Sequence, residues 1–224
     1  MDFKKDKYLI IKNIISKDLA QFLYNYLIIK RQVYHTMTEF RYLSPFDESY
    51  GNMNDPQLSN TWSCYGDTAM DTVLLRCQEK IEKETKLKLI PTYSYTRLYK
   101  KGDVLERHKD RFSCEVSTTL YLGGSTWPIY VDTNPKTGIF IGKKDKDGRS
   151  TYIPGKTKGK KVDLDQGDLL VYYGCDLEHW REPLKKKECA QVFFHFNTPK
   201  SKHKNLFDGR PHVGLPDWFR NRMK

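Results

Sequence analysis

Two different spacings of apolar residues divide the chain near residue 90. Before this point, apolar residues recur every three or four positions, which is typical of helices that bury one face. From Pro91 onward they alternate with polar residues in short runs, and turns rich in Gly, Asp and Asn separate the runs. This second pattern is typical of β-strands. The chain is therefore predicted to be an α+β protein with helices first and strands after.

Two helices are predicted in the first part. Ser16 can cap a helix whose inner face is formed by Leu19, Phe22, Leu23, Tyr26 and Leu27. Asp67 can cap a second helix whose inner face is formed by Met70, Val73, Leu74, Cys77 and Ile81. The stretch Thr36–Ser63 between them is polar and rich in Asn, Ser and Pro. It predicts a long loop of the kind that often serves as a lid or binding loop.

Short strands fill the second part. Their predicted ranges are Thr92–Tyr99, Ser117–Leu122, Pro128–Val131, Gly138–Ile141, Lys161–Leu164, Asp168–Tyr173 and Ala190–Phe196. Many short strands without an internal repeat favour a closed or double-sheet β architecture with helices buttressing one side. We expect a single domain over residues 1–224. Helical support and the long loop occupy 1–90, the β core 91–200 and a C-terminal tail 201–224.

The composition narrows the class of protein. Hydrophobic residues make up 38% and aromatic residues 13% of the chain, which indicates a globular protein. The five cysteines form no CxxC pair, so we expect neither a disulfide framework nor a thiolate zinc site, and a reducing cytoplasmic location fits best. No apolar run reaches the roughly 18 residues of a membrane span, so no membrane partner is expected. No signal peptide is recognised.

The formal net charge of +11 has several interpretations. The positive charge could bind a nucleic acid, an acidic protein substrate or an anionic cosubstrate. Lysines far outnumber arginines and scatter through loops such as 143–146 and 156–161, which favours a solvated surface over a dedicated binding track. A nucleic-acid partner stays open as an alternative, although no recognition motif supports it.

Three side chains are candidates for a metal centre. His108 and Asp110 are two positions apart, so in an extended segment they point to the same side. His179 follows a turn and an apolar strand, and strands that far apart in sequence are often neighbours in a jelly-roll barrel. Two histidines and one carboxylate, with three coordination positions open, are the ligands of non-haem Fe(II) oxygenases. Spacing alone leaves open that both histidines are ordinary surface or strand residues.

The residues around these side chains carry a family resemblance. The stretches that carry it are 91–102, 105–111, 114–124, 174–183 and 191–196. They resemble the 2-oxoglutarate- and Fe(II)-dependent dioxygenases, and within them the prolyl 4-hydroxylase-like branch of bacteria and viruses. The resemblance covers roughly residues 88–200, and the tail segment 207–211 is also similar.

The resemblance implies a fold, a set of ligands and cofactors. The fold is a double-stranded β-helix (a jelly-roll, cupin-like core) with buttressing N-terminal helices and the metal at one open end. The family's HxD motif corresponds to His108 and Asp110, and its distal histidine to His179, as metal ligands and catalytic residues. The implied cofactors are Fe(II), 2-oxoglutarate as cosubstrate and O₂, with ascorbate as a stimulant. Related halogenases replace the carboxylate with a small residue, so Asp110 favours hydroxylation.

The far carboxylate of 2-oxoglutarate needs a cation or several hydroxyls, because a buried charge must be paired. The resemblance implies a Lys or Arg on the strand after the distal histidine. Three candidates stay open: Lys187, by strand parity with Gln191; Arg181, two residues after His179; and Arg97 on the first core strand. Against Lys187 stands its place in an exposed turn, 185–187.

Further cosubstrate contacts are predicted from two tyrosines and a glutamine. Tyr99 shares a strand face with Arg97, and Tyr121 lies on the strand after the HxD motif, where relatives use a tyrosine to bind the cosubstrate. Gln191 shares a face with the end of the last strand. The alternative for each aromatic residue is ordinary core packing.

The function that the resemblance implies is hydroxylation of a protein or peptide, in the manner of a prolyl hydroxylase, with succinate and CO₂ as co-products. Two alternatives come from different classes. The positive charge would suit a nucleic-acid-modifying oxygenase. A cupin-like barrel could also be a non-catalytic binding module, although the intact set of three candidate ligands speaks against this.

Overall fold

Two sheets face each other and three helices cover the outer face of the larger one. The computed structural model describes residues 2–44, 46–142, 151–203 and 205–221. The larger sheet has the strand order β1-β10-β5-β12-β3-β2. Its strands are β1 (Tyr8–Ile11), β10 (Leu169–Tyr172), β5 (Val116–Gly124), β12 (Glu188–Asn197), β3 (Ile90–Lys100) and β2 (Trp62–Tyr65).

The smaller sheet has the order β4-β11-β6-β9. Its strands are β4 (Leu105–His108), β11 (His179–Arg181), β6 (Ile129–Val131) and β9 (Lys160–Val162). A separate antiparallel ribbon is formed by β7 (Ile139–Ile141) and β8 (Thr151–Ile153). Apolar side chains from both sheets meet in one cluster that includes Tyr99, Tyr172, Ile129, Val131 and Val162. This interior between the sheets is the space in which the candidate ligands lie, and the predicted α+β class with a double-stranded β-helix core is confirmed.

The helices are α1 (Phe3–Asp6), α2 (Lys17–Glu39) and α3 (Thr68–Thr85). Both predicted caps are present: the Ser16 hydroxyl accepts from the Leu19 N–H at 3.2 Å, and the Asp67 carboxylate accepts from the Met70 N–H at 3.0 Å. The helices bury a second apolar cluster against the outer face of the larger sheet. Within the described ranges, no helix combines the length and apolar character needed to cross a membrane.

Each of the seven predicted strands overlaps an observed one, but β1, β2, β4, β8 and β11 were not predicted. These five have only three or four residues each, as do β6, β7, β9 and β10, so at this length the pattern does not separate the strands that were predicted from those that were missed. The predicted loop Thr36–Ser63 was too long at both ends, because α2 continues to Glu39 and β2 begins at Trp62.

Phe22 was predicted on the inner face of α2, and this was wrong. Its side chain is 67% exposed, whereas Ala20, Leu23 and Leu27 are buried. Neighbouring residues of a helix are rotated by about 100° from each other, so the face that buries Leu23 turns Phe22 toward solvent.

A buried ion pair fixes the C-terminal tail to the rest of the fold. Asp71 on α3 lies 3.2 Å from Arg210 of the tail, and both side chains are fully buried. The Asp71 carboxylate also accepts from the N–H groups of Ser94 and Gly214, at 2.8 and 2.7 Å. One carboxylate therefore joins α3, β3 and the tail, and its full set of partners offsets the cost of burying its charge.

Asp71→Asn is expected to lower the free energy of unfolding by about 3–5 kcal/mol, because the Arg210 guanidinium stays buried without its counter-charge. Urea denaturation measures the change. The matched control is Asp163→Asn, whose side chain is 65% exposed beside Lys161 and whose removal should cost less than about 1 kcal/mol. Equal effects of the two substitutions would contradict the structural role of the buried pair.

Candidate active site

Strand pairing brings the three candidate ligands together. β4 and β11 are antiparallel neighbours in which His108 and His179 lie opposite each other, with ring centroids 4.2 Å apart. Asp110 follows β4, and its N–H donates to the Gly174 carbonyl at 2.9 Å. Its Oδ1 lies 3.6 Å from His108 Nε2 and 3.5 Å from His179 Nε2. The ligand atoms all lie within 4.8 Å of one another, so the structure gathers all three predicted side chains around one point.

The two imidazole rings are oriented by their own backbone. His108 Nδ1 lies 2.7 Å from the Glu106 carbonyl, and His179 Nδ1 lies 3.0 Å from the Leu177 carbonyl. A carbonyl only accepts, so Nδ1 carries a proton in each ring, and each ring turns Nε2 toward Asp110. Burial, together with the neighbouring His179, lowers the pKa of His108 and favours its neutral form. Neutral imidazole with a free Nε2 is the form that binds a metal.

Asp110 is held as a carboxylate. Burial raises its pKa, but the rings of His179 and His108 outweigh this and hold the pKa well below its usual value. The Ser117 hydroxyl donates to Asp110 Oδ2 at 2.5 Å, and His195 Nδ1 lies 3.0 Å from the Ser117 oxygen. Burial lowers the pKa of His195 to about 4, so its ring is neutral. With the Ser117 proton directed at the carboxylate, His195 Nδ1–H is the donor to Ser117.

Sequence reasoning did not single out Ser117 or His195 as site residues. A signal was present: β5 carries three consecutive hydroxyl residues, Ser117, Thr118 and Thr119, within a fully buried stretch. Buried hydroxyls need hydrogen-bond partners, so they indicate that this part of the strand contacts polar groups.

Ser117→Ala is expected to weaken Mn(II) binding by about 10-fold or more, because a ligating carboxylate loses the hydrogen bond that orients it. Titration of the protein with Mn(II), followed by electron paramagnetic resonance, measures the affinity. Ser94→Ala is the matched control, since Ser94 is another buried strand serine whose hydroxyl has no partner in the described residues. Unchanged Mn(II) affinity in Ser117→Ala would show that the hydroxyl does not support Asp110.

Arg181 is a buried cation in the same interior. Its side chain is 1% exposed, and burial lowers its pKa. Nη2 donates to Thr119 Oγ1 at 3.2 Å, Nη1 donates to the Trp127 carbonyl, and Nε has no partner in the part of the chain that the structure describes. None of the ion pairs of the described residues involves Arg181. A buried charge of this kind requires a counter-charge, which an anionic ligand can supply.

One strand, β5, contacts both the candidate metal ligands and the buried cation. Ser117, which holds Asp110, and Thr119, which receives Arg181, are two positions apart on the inner face of β5. Two residues of a strand span about 7 Å. A short dicarboxylate could therefore reach from the metal point to Arg181.

Tyr99 adds an unpaired hydroxyl to this region. Its side chain is fully buried and its oxygen has no hydrogen-bond partner among the described residues. Burial raises its pKa, so the hydroxyl stays protonated and can donate. Its ring contacts Trp127 at 4.8 Å, and Arg181 lies 5.1 Å from the same Trp127 ring. Tyr99 and Arg181 thus both lie beside one indole, and each has a polar atom without a partner in the described residues.

The other two predicted cations lie in different surroundings. Lys187 is exposed and precedes β12, whose first residue is Glu188. The prediction of Lys187 required the strand to include this residue, but β12 begins one position later, at Glu188. Arg97 is buried, but it pairs with Asp55 of the long loop at 2.6 Å. Arg97 therefore has its counter-charge within the protein, and this partner could not be predicted from a lone acid in a loop.

Gln191 and Tyr121 both point into the interior, with different partners. The Gln191 oxygen accepts from Thr119 Oγ1 at 3.0 Å, so Gln191 orients the hydroxyl that receives Arg181. The Tyr121 hydroxyl donates to the Gly124 carbonyl at 2.8 Å, which directs its proton to its own strand.

Solved structures share this architecture. A prolyl-4-hydroxylase from Pseudomonas putida matches over 88% of this chain and 95% of its own, with a TM-score of 0.55 and 17% identity. The viral collagen prolyl hydroxylase vCPH from Paramecium Bursaria Chlorella virus-1, in complex with 2-oxoglutarate, matches over 86% and 97%, with a TM-score of 0.52 and 12% identity. The chain has the fold of the 2-oxoglutarate oxygenases. The predicted resemblance is thereby confirmed at the level of the fold.

A third structure shows which ligands this fold can hold. HygX from Streptomyces hygroscopicus, with nickel and 2-oxoglutarate bound, matches over 88% of this chain and 85% of its own, with a TM-score of 0.51 and 14% identity. No protein-family model and no curated protein sequence matches the chain. The likeness therefore rests on the arrangement of strands and helices, and the roles of individual side chains rest on their geometry.

Proposed function

We propose that the chain is an Fe(II)- and 2-oxoglutarate-dependent dioxygenase that hydroxylates a protein or peptide, with succinate and CO₂ as co-products. One observation carries the proposal. His108, Asp110 and His179 converge at one end of an interior that also holds Arg181, a buried cation without a carboxylate partner in the described residues. A metal ion bound by the three ligands would complete the first group, and an anion paired with Arg181 would supply its missing counter-charge.

The donor set fits Fe(II). Two neutral imidazoles and one carboxylate on a single side leave the opposite coordination positions free. His108 and His179 present Nε2, and Ser117 holds one oxygen of Asp110 so that the other faces both rings. When bound, iron and 2-oxoglutarate supply the O₂ activation that couples oxidative decarboxylation of the cosubstrate to hydroxylation of the substrate.

Arg181 anchors the far carboxylate of the cosubstrate in this proposal. Thr119 and Gln191 orient the guanidinium, and the Tyr99 hydroxyl supplies a further donor. The buried Trp127 ring lies 5.1 Å from the Arg181 guanidinium, and such apolar surroundings strengthen the pairing of two opposite charges. The anchor has to be a buried cation without a counter-charge from the protein. Lys187 is exposed and Arg97 is already paired with Asp55, so neither fits.

The substrate class rests on two supports. The first is the fold shared with the prolyl hydroxylases from Pseudomonas putida and the chlorella virus. The second is the loop between α2 and β2, which Asp55 fastens to Arg97 beside the interior. A loop fastened at this place is suited to folding over an extended peptide.

The reaction class is tested on the purified protein with Fe(II), ascorbate and 2-oxoglutarate. Slow formation of succinate, detected by nuclear magnetic resonance, is expected even without a second substrate, and it should stop when a chelator removes the iron. If no succinate forms and Mn(II) does not promote 2-oxoglutarate binding, the proposed activity is wrong.

A further inference from the structure

The β7–β8 ribbon exposes apolar side chains that ordinarily lie inside a protein. Ile139, Phe140, Ile141 and Ile153 are 52%, 57%, 42% and 44% exposed. The ribbon pairs with no third strand in the described ranges, so both of its outer edges are open. Contiguous exposed apolar side chains mark interaction sites, and an open strand edge offers backbone groups to an incoming chain.

The second strand of the ribbon is hydrogen-bonded to the residue before a candidate metal ligand. Glu178 precedes His179 and is fully buried. Its Oε1 accepts from the Tyr152 hydroxyl of β8 at 2.9 Å and from the Gly155 N–H at 2.8 Å. The second strand of the ribbon is thus hydrogen-bonded to the residue that precedes His179 in sequence.

The segments that flank the ribbon are hydrogen-bonded to sequence neighbours of the other two ligands. Lys109, which lies between His108 and Asp110 in sequence, donates to the Pro135 carbonyl at 2.8 Å. Arg107 donates to the Thr157 carbonyl at 2.5 Å and forms an ion pair with Glu178 at 2.9 Å. Both flanks of the ribbon are therefore bonded to residues adjacent to the ligands, and the ribbon forms part of the rim of the site.

The segments that form the rim carry an excess of lysines. In the described residues 133–142 and 151–161 the sequence contains five lysines and no Asp or Glu. All five are exposed: Lys136, Lys156, Lys158, Lys160 and Lys161. Asp163 pairs with Lys161, and the other four lysines of these segments form no ion pair in the described residues. Open strand edges, apolar side chains and an excess of positive charge thus lie together at the rim, so a partner needs backbone, apolar and acidic groups.

We propose that the β7–β8 ribbon docks an acidic protein segment in extended conformation and presents its target residue to the metal. This inference rests on the proposed hydroxylase activity and specifies its substrate class. A peptide strand satisfies the ribbon edge, its apolar side chains contact the isoleucines, and its carboxylates pair with the lysines. Single-stranded nucleic acid fits less well, because three of the four exposed apolar side chains are isoleucines and offer no ring for base stacking.

The test uses a fluorescein-labelled peptide in which Glu alternates with Val on both sides of a central Pro. Its affinity for the full chain loaded with Mn(II) and 2-oxoglutarate is measured by fluorescence anisotropy at low salt. The triple variant Lys136→Glu, Lys156→Glu, Lys158→Glu should bind the peptide about 10-fold more weakly or worse. The control, Lys17→Glu, Lys80→Glu, Lys83→Glu, has the same net charge but changes α2 and α3 on the far side of the larger sheet, and it should retain binding.

Two further probes make the outcome decisive. The same peptide with Lys in place of Glu should bind at least about 10-fold more weakly than the acidic one. Equal binding of both peptides, or equal loss in both triple variants, would overturn the proposal. So would tighter binding of an oligothymidine that depends on the ribbon lysines, which would make the surface a nucleic-acid interface. Mn(II)-dependent 2-oxoglutarate binding is measured in each variant, so a failure of the proposed activity is seen separately from a failure of docking.

Discussion

Alanine at His108, Asp110 or His179 is expected to abolish metal binding and 2-oxoglutarate turnover in each single variant. Each side chain supplies one of three donors around a common point, so its loss leaves two donors and an incomplete site. Turnover should fall on the order of 1000-fold or more, and a double variant should be no worse than either single one, because groups that act as a unit are not additive. Mn(II) titration and succinate formation measure the two effects.

The matched control for these variants is His35→Ala, which removes an exposed histidine of α2 and should change neither measurement. Thermal melting of the metal-free proteins separates a lost site from a lost fold. Retention of turnover in His108→Ala or Asp110→Ala, with an intact melting transition, would show that the metal lies elsewhere.

Arg181→Met is expected to give the second-largest effect, on the cosubstrate. The affinity of the Mn(II)-loaded protein for 2-oxoglutarate should fall by about 100-fold or more, because a buried charge-assisted pairing is lost. The metal-free variant should be as stable as the parent or more so, since a buried cation without a counter-charge has been removed. The rise in melting temperature on adding 2-oxoglutarate should disappear with the affinity.

The two rival cations serve as comparisons. Lys187→Met should leave both the affinity and the melting temperature unchanged, because its side chain is exposed. Arg97→Met should destabilise the metal-free protein by about 3–5 kcal/mol, because Asp55 then stays buried without its partner. If Lys187→Met or Arg97→Met abolished 2-oxoglutarate binding while Arg181→Met retained it, the anchor would be misassigned.

The three candidate ligands could be predicted because each is marked by a local pattern in the sequence. His108 and Asp110 are two apart in an extended stretch, and the flanks of His179 carry the family pattern. The long strands β3, β5 and β12 were predicted for a similar reason, since a strand pattern sustained over 11, 9 and 10 residues is a local signal.

The supporting contacts could not be predicted, because they join strands that are distant in sequence. Ser117 on β5 meets His195 only because β5 and β12 are neighbours in the sheet. Arg181 and Thr119 meet across the two sheets. The choice among the three cations depended on where β12 begins and on whether a loop supplies a carboxylate, and neither is visible in one sequence.

A crystal structure of the protein with Mn(II) and 2-oxoglutarate tests the proposed site most directly. The expected result is Mn(II) bound by Nε2 of His108, Nε2 of His179 and the Asp110 carboxylate, with the far carboxylate of 2-oxoglutarate on Arg181. Mn(II) at any other place, or a far carboxylate paired with Lys187 or Arg97, would contradict it.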